Sequence, residues 1–184
     1  MAVLPIVTYN DPILRQKTEP IIDFSDEIRQ FVADLFETMY NSEGVGLAAP
    51  QVGKSLQIFV IDADNMMDED EELPGPMAFI NPKIIEKKGK QIPMDEGCLS
   101  IPEVTDKVLR PETIVIQYKD ENFEDKTLEA NRWLARVIQH EYDHLQGILF
   151  IDYLSAFRKR MHKADLKEID DGLRETKYPI RPKI

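Results

Sequence analysis

Gln139-His140-Glu141-Tyr142-Asp143-His144-Leu145-Gln146-Gly147 carries a His-Glu-x-x-His pattern, in which two imidazoles are separated by one helical turn. Residues at i and i+4 lie on one face of a helix, so His140 and His144 can reach the same metal ion. Glu141 lies beside that ion without having to bind it, which is the position of a general base in metal-dependent hydrolysis. The pattern therefore predicts a metal centre on a helix.

The helix that this pattern requires is predicted between Asn131 and Gly147. Asn131 is a candidate N-cap, and Gly147 is a typical residue to follow the last turn. Apolar residues recur at helical intervals on several sides of this segment: Trp133, Leu134, Val137, Ile138 and Leu145. Because a helix that is apolar nearly all round must be buried, we expect it at the centre of the fold.

The rest of the chain predicts helices near both ends and strands between them. A helix is expected from Ser25 to about Asn41 and another from Ser155 to about Asp171. Strands are expected at 56–62, 77–85, 113–119 and 123–130, with Gly89, Pro93, Pro102 and Pro111 breaking the chain between them. There is no regular alternation of strands and helices, so we predict an α+β fold with mostly antiparallel sheets wrapped around the central motif helix and a C-terminal helix. We expect one catalytic domain over residues 1–184, in which 155–184 form the C-terminal helix and tail.

Composition restricts the possible partners and location. The chain has 184 residues, a net charge of −11 and one cysteine. The acidic balance argues against broad electrostatic binding to DNA or to an anionic membrane. The N-terminus has no basic region and its apolar run is broken by Pro5, and no later segment is apolar for long enough to span a bilayer. A single cysteine cannot form an internal disulfide, so we expect a cytoplasmic protein. We also expect a monomer.

The stretch from Gly44 to Gly53 is rich in small residues. It matches the relaxed dinucleotide pattern G-x-G-x-x-A, but it follows a helix and carries Pro50 where a phosphate-binding helix would begin. We therefore interpret it as a loop that lets backbone approach a ligand, with Gln51 as its hydrogen-bond donor.

Two histidines leave a catalytic metal one protein ligand short. His162 lies in the basic segment 158–163, where the neighbouring charges would repel a cation, so we interpret it as a surface histidine. Cys98 is the second candidate, although a lone cysteine is more often a small buried hydrophobic residue. The adjacent Gly97 permits close backbone approach, which favours a site at Cys98. An aspartate or glutamate is the remaining alternative.

Three stretches resemble, in order and separation, the signature motifs of peptide deformylases: Gly44 to Gln51, Glu96 to Ser100, and Gln139 to His144. The resemblance covers nearly the whole chain, and the helical C-terminal end is similar to that of the bacterial type I branch. It implies that Cys98, His140 and His144 bind one divalent metal ion, with water in the fourth position. In that family the ion is commonly Fe²⁺, and Zn²⁺, Ni²⁺ or Co²⁺ can replace it.

The resemblance also implies a reaction. The N-formyl group of the N-terminal formylmethionine of newly made polypeptides is hydrolysed, and formate is released. Hydroxide generated at the metal attacks the formyl carbon, while Glu141 takes the water proton and passes it to the leaving amine. The Gln51 amide and the Leu99 backbone N–H stabilise the charge that develops on the formyl oxygen.

By the same resemblance, the substrate peptide binds as an added strand to backbone groups of Val45 and Gly46. Gly97 provides close backbone approach beside the metal. Val137 shares a face with His140 and is a candidate wall of the methionine pocket, with Met94 and Val45 as further candidates. Glu96 and Arg110 could pair to steady the cysteine loop. Arg136 has no assigned role.

Two other functions share parts of this pattern. A zincin-type peptidase also uses His-Glu-x-x-His, but it usually takes a third ligand from a downstream histidine or carboxylate. A non-catalytic metal-binding module would retain the ligands, although it would not require Glu141 or Gln51.

Two charged segments have both a simple and a specific interpretation. The basic cluster Arg158, Lys159, Arg160 and Lys163 is typical of a solvated helix face, and the specific hypothesis is contact with the ribosome. The acidic run 64–72 is interpreted as a solvated surface insertion.

Overall fold

The computed structural model describes residues 1–181. Its helices are Asp26–Asn41 (α1), Arg132–Leu145 (α2), Ala156–Met161 (α3) and Lys163–Asp170 (α4). Its strands are Ile6–Val7 (β1), Gly46–Ala48 (β2), Ile58–Ile61 (β3), Met77–Cys98 (β4), Ile101–Lys119 (β5), Asp125–Asn131 (β6) and Ile180–Arg181 (β7). Within the described residues, none of these helices is long and apolar enough to cross a membrane.

Five of the strands form one antiparallel sheet in the order β2-β3-β4-β5-β6. The remaining two, β1 and β7, pair in parallel and bring Ile6 beside Ile180. This arrangement confirms the predicted α+β fold with mostly antiparallel sheets.

Helix α2 lies at the centre of the fold, as its all-round apolar pattern predicts. It packs against β2, β3, β5 and β6, and because 11 of its 14 residues are buried, its polar side chains are buried with it. Asn131 occupies the N-cap position, but its side chain accepts a hydrogen bond from Thr113 Oγ1 at 2.7 Å and does not cap the helix. The fold therefore holds the His-Glu-x-x-His motif on a mostly buried helix.

Strands β4 and β5 form one long hairpin that continues through four residues expected to separate strands: Gly89, Pro93, Pro102 and Pro111. That expectation is wrong. Among the described strands, β4 beyond Ile80 pairs only with β5, and β5 before Thr113 pairs only with β4, so a proline can face the free edge without removing a ladder hydrogen bond. Register shifts along the hairpin, including one between Lys88 and Gln91, absorb the irregular residues.

The small-residue stretch from Gly44 to Gly53 is not the simple loop that was expected. Its centre is β2, which pairs with β3 through Gly46–Ile61 and Ala48–Phe59, and a 3₁₀ helix follows at Ala49–Val52. Because so short a strand is specified by its partner, its own residues gave no strand pattern.

The C-terminal region is a pair of short helices and not the single helix predicted over 155–171. The break falls at His162, whose Nε2 lies 2.7 Å from Asp106 Oδ2 on β5. Arg158 of α3 also donates to the Asp106 carboxylate, so both α3 and the residue that follows it are tied to β5. His162 is therefore half-buried and bonded, which corrects its interpretation as a surface histidine. The last residues of the expected tail, 182–184, lie outside the described residues.

Asp106 should contribute stability that depends on pH. Burial raises the pKa of Asp106, but hydrogen bonds from Arg158 and His162 outweigh burial and lower the pKa to about 2. The pKa of an unfolded aspartate is about 3.9. The stabilisation by ionised Asp106 is therefore complete above that pH and is lost as the pH falls towards 2.

We expect Asp106→Asn to lower the free energy of unfolding at pH 7 by about 1.5–3 kcal/mol, the usual range for hydrogen bonds to a charged group. Urea unfolding should show that the difference in free energy of unfolding between wild type and variant shrinks below pH 4. Asp125→Asn, which alters an exposed pair with Lys119, is the control and should cost less than about 1 kcal/mol. A difference in free energy of unfolding that stays constant down to pH 2 would contradict the lowered pKa of Asp106.

Candidate metal centre

Three side chains from two elements meet at the end of the β4–β5 hairpin. Cys98 is the last residue of β4, and His140 and His144 lie one turn apart on α2. One ligand atom from each residue lies within 4.8 Å of the other two, and Cys98 Sγ is 3.4 Å from His144 Nε2. The structure thus brings together the three residues expected to bind metal.

The donor set fits a divalent transition metal. A thiolate and two imidazoles leave one tetrahedral position open for water, as in catalytic sites. His140 Nδ1 donates to Glu96 Oε1 at 2.8 Å, which fixes the ring and leaves Nε2 for the ion. The carboxylate oxygen Glu141 Oε2 is buried, and it has no hydrogen-bond partner in the described part of the chain. A water molecule on a bound ion would give that oxygen a partner.

Glu141 is positioned by close approach of β2. A Cβ added to Gly46 would lie 2.5 Å from Glu141 Oε1, so only glycine leaves room for this carboxylate. The sequence predicted that the stretch from Gly44 to Gly53 lets backbone approach a ligand, and in the structure Gly46 approaches the Glu141 side chain closely.

Gln51 and Leu99 border Cys98. Gln51 Oε1 accepts from the Ala48 N–H at 2.9 Å, which aims Gln51 Nε2 at Cys98 Sγ, 3.4 Å away, and at Ser100 Oγ, 3.2 Å away. Leu99 follows Cys98 in the tight turn between β4 and β5, where Cys98 pairs with Ile101. Both predicted oxyanion donors therefore lie beside the cysteine.

A buried ionic network supports His140. Glu96 binds Arg110 through two hydrogen bonds, from Nε at 2.7 Å and from Nη2 at 2.9 Å, and accepts from Arg136 Nη1 at 2.7 Å. Arg110 also donates to Asp143 at 2.7 Å, and the Tyr153 hydroxyl donates to the same carboxylate. The suggested pairing of Glu96 with Arg110 is confirmed, and Arg136, which had no assigned role, is a third member.

Burial and charge shift the pKa values of the motif residues. Burial raises the pKa of Glu141 to about 7. Burial also lowers the pKa of His144 well below its usual value, with the charges of His140 and Arg110 adding to the effect. For His140, burial lowers the pKa, but hydrogen bonds with Cys98 and Glu96 outweigh it and the net shift is upward. Burial raises the pKa of Glu96, but hydrogen bonds from His140 and Arg110 outweigh burial and hold this pKa well below its usual value. Glu96 therefore remains a carboxylate.

A cleft of about 850 Å³ opens onto the site. Among the predicted substrate residues, Val45, Gly46, Gly97 and Val137 line it. Met94 does not. It lines a neighbouring cavity of about 310 Å³, separated from the cleft by side chains that border both spaces, Trp133 and Arg136.

Sequence reasoning missed several residues that border the cleft or support the site: Trp133, Arg136, Asp143, Tyr153 and Tyr178. Asp143 could have been found, because it lies three residues after His140 on the same helix. Tyr178 had no signal in the sequence.

The chain matches the family model described as Polypeptide deformylase over residues 3–160. A peptide deformylase of Salinibacter ruber is 46% identical over 183 residues, covering 97% of this chain and 94% of that relative. Peptide deformylase 1 of Rickettsia conorii is 45% identical over 177 residues, covering 94% and 99%. The crystal structure of the Ehrlichia chaffeensis peptide deformylase in complex with actinonin superposes with a TM-score of 0.85 at 38% identity, covering 95% of this chain and 100% of that one. The chain therefore belongs to the peptide deformylase family.

Proposed function

We propose that this protein hydrolyses the N-formyl group of the N-terminal formylmethionine on newly made polypeptides and releases formate. The observation that carries the proposal is the convergence of Cys98, His140 and His144 within 4.8 Å, with the buried carboxylate of Glu141 beside them. This geometry supports hydrolysis, and membership of the family narrows the bond to a formyl amide. Neither a zincin-type peptidase nor a non-catalytic binding module is favoured.

Cys98, His140 and His144 would hold the metal ion. When bound, a divalent ion supplies an activated water molecule and polarises the carbonyl that is attacked. A thiolate with two imidazoles suits several borderline ions. We propose Fe²⁺ in the cell, with Zn²⁺, Ni²⁺ or Co²⁺ as functional substitutes.

The chain's own side chains perform the proton transfer and hold the developing charge. Glu141 takes a proton from the attacking water and delivers it to the leaving amine. The Gln51 amide and the Leu99 N–H donate to the formyl oxygen, and each such donor typically contributes about 3–4 kcal/mol in the transition state. The bond from Ala48 N–H to Gln51 Oε1 keeps that amide in place before substrate arrives.

The substrate peptide is proposed to bind along the edge strand β2. Among the described strands, β2 is the end strand of its sheet, and an extended peptide can add to such an edge. Val45 and Gly46 would offer backbone groups on one side of the substrate peptide, and Gly97 would do so on the other side. Val137 would form a wall of the methionine pocket, whereas Met94, which lines the neighbouring cavity, would not contribute to it.

We propose that residues 1–184 act as one catalytic domain, as a monomer and in the cytoplasm, where polypeptide synthesis supplies the substrate.

The test of the function is anaerobic hydrolysis of formyl-Met-Ala-Ser with metal analysis of the same sample. We expect formate release with one metal ion per chain. A chelator should abolish release, and added Fe²⁺ should restore it. Metal without formate release, but with cleavage of an internal bond in an unformylated peptide, would favour the peptidase. Metal without either activity would favour the binding module.

Contact with the ribosome is proposed through the basic cluster on α3 and the start of α4. Arg158 is bonded to Asp106, whereas Lys159, Arg160 and Lys163 are exposed and available. We expect salt-sensitive co-sedimentation with ribosomes that is lost in a Lys159→Glu, Lys163→Glu double variant. A Lys87→Glu, Lys90→Glu variant, which reverses two exposed charges on β4, should still co-sediment. No co-sedimentation of the wild type at low salt would end the proposal.

A further inference from the structure

Residues 174–181, here called the return segment, run from the end of α4 back to the catalytic cleft. Residues 175–178 line this cleft together with Cys98, Glu141 and the end of α1. The family match ends at residue 160, so the return segment lies outside the part of the chain that the family model describes. Its place in the cleft therefore needs its own explanation.

The return segment is fixed at its beginning by Arg174. This guanidinium binds Glu103 of β5 at 2.9 Å, and Asp165 at 2.6 Å and Glu168 at 2.8 Å of α4. At the other end, β7 pairs with β1 and Arg181 binds Asp11 at 3.0 Å. Residues 175–178 are thus held between two anchored points.

Tyr178 ties the middle of the segment to the active site. Its hydroxyl donates to the Leu99 carbonyl at 2.7 Å. Leu99 lies in the two-residue turn between β4 and β5, so its carbonyl lacks a ladder partner and needs another donor. The Ser100 carbonyl of the same turn accepts from the Tyr9 N–H at 2.8 Å. The turn that follows Cys98 is therefore held in part by the return segment.

We infer that the return segment is a specificity-determining wall of the cleft, which binds the formylated peptide beyond its methionine. A cleft of about 850 Å³ is in the range that encloses whole drug-sized ligands, so it has room for several residues. The ligand is an extended peptide, and Tyr178 is a positioning residue that holds the wall against Leu99. The inference rests on the proposed function for the identity of the substrate.

The test compares two substrates in each variant: formyl-Met-Ala-Ser and formyl-Met amide. The measured quantity is the chain-length ratio, defined as kcat/KM for the tripeptide divided by kcat/KM for the amide. Misfolded or metal-free enzyme lowers both values equally and cancels in this ratio. We expect Tyr178→Phe, which loses one hydrogen bond, to lower the ratio about fivefold. Arg174→Gln should lower it similarly by releasing the start of the segment.

Tyr40→Phe is the matched control. The Tyr40 hydroxyl donates to Asp62 at 2.7 Å on the exposed side of α1, and its loss should leave the ratio unchanged. A ratio that is unchanged in both Tyr178→Phe and Arg174→Gln would overturn the inference, because the segment would then be only structural. A wild-type ratio near one would overturn it too.

Binding without turnover separates this inference from the proposed function. In a Glu141→Gln background, the fluorescence of Trp133, the one tryptophan of the chain, can report binding of the same two peptides. Tighter binding of the tripeptide, weakened about fivefold by Tyr178→Phe, supports the wall even if hydrolysis is never seen. Equal affinities for the two peptides would overturn it while formate release by the wild type stands.

Discussion

Glu141→Gln is expected to reduce formate release by roughly a thousandfold, within the range for loss of a general acid–base group. Glutamine has nearly the same shape, so the close packing of this side chain against Gly46 is retained. It cannot accept the proton of the attacking water, and the reaction loses its base. Because Glu141 is not one of the three residues that converge as ligands, metal content should stay at one ion per chain.

Kinetics and metal analysis of the same preparation check this expectation. Glu27→Gln, an exposed residue in the first turn of α1, is the control and should keep the wild-type rate. Activity close to wild type in Glu141→Gln would remove this residue from the mechanism. Loss of the metal together with activity would instead identify Glu141 as a ligand.

Glu96→Gln should have the second large effect, on both stability and metal affinity. The Glu96 carboxylate pairs with two buried guanidinium groups, Arg110 and Arg136, and orients the ring of His140. Removing one partner of a buried ion pair typically costs about 3–5 kcal/mol, because the remaining charge is left uncompensated. Loss of the group that orients a metal-binding histidine typically weakens metal binding about 10–100-fold.

Urea unfolding of the metal-free protein would measure the first effect, and competition with a metal chelator the second. Glu86→Gln replaces an exposed glutamate of the same strand and should change neither quantity appreciably. Unchanged metal affinity in Glu96→Gln would show that His140 is held by its helix alone. Unchanged stability would show that the arginines need only their other acceptors, which are Asp143 for Arg110 and the carbonyls of Val108 and Ile92 for Arg136.

The site was largely predictable because most of its chemistry lies in short local patterns. His140, Glu141 and His144 share one helix, whose periodicity fixes the face on which they lie. Cys98 was different. The sequence around Cys98 left the identity of the third ligand open. Only the resemblance to a family selected Cys98 over a carboxylate or His162.

Long-range contacts account for what the sequence did not predict. Arg136 finds its partner Glu96 at a separation of 40 residues, and Tyr178 meets Leu99 at a separation of 79. A charged residue in a buried helix gives no indication of which distant carboxylate will pair with it. The strand β2 was missed for a related reason, since its identity as a strand depends on β3. The prolines of β4 and β5 were misread because their effect depends on which edge of a strand is free.

The parallel pairing of β1 with β7 imposes an order on the folding of a growing chain. Ile6 is made early, whereas its partner Ile180 is made only after all the intervening residues. Domains begin to fold from the N-terminus during synthesis, so β1 must wait for its partner while the sheet and α2 assemble. Tyr178 belongs to the same late segment and closes onto Leu99 at about the same time. An enzyme that acts on the first residue of other emerging chains thus completes its own cleft only after its residues 175–178 have been made.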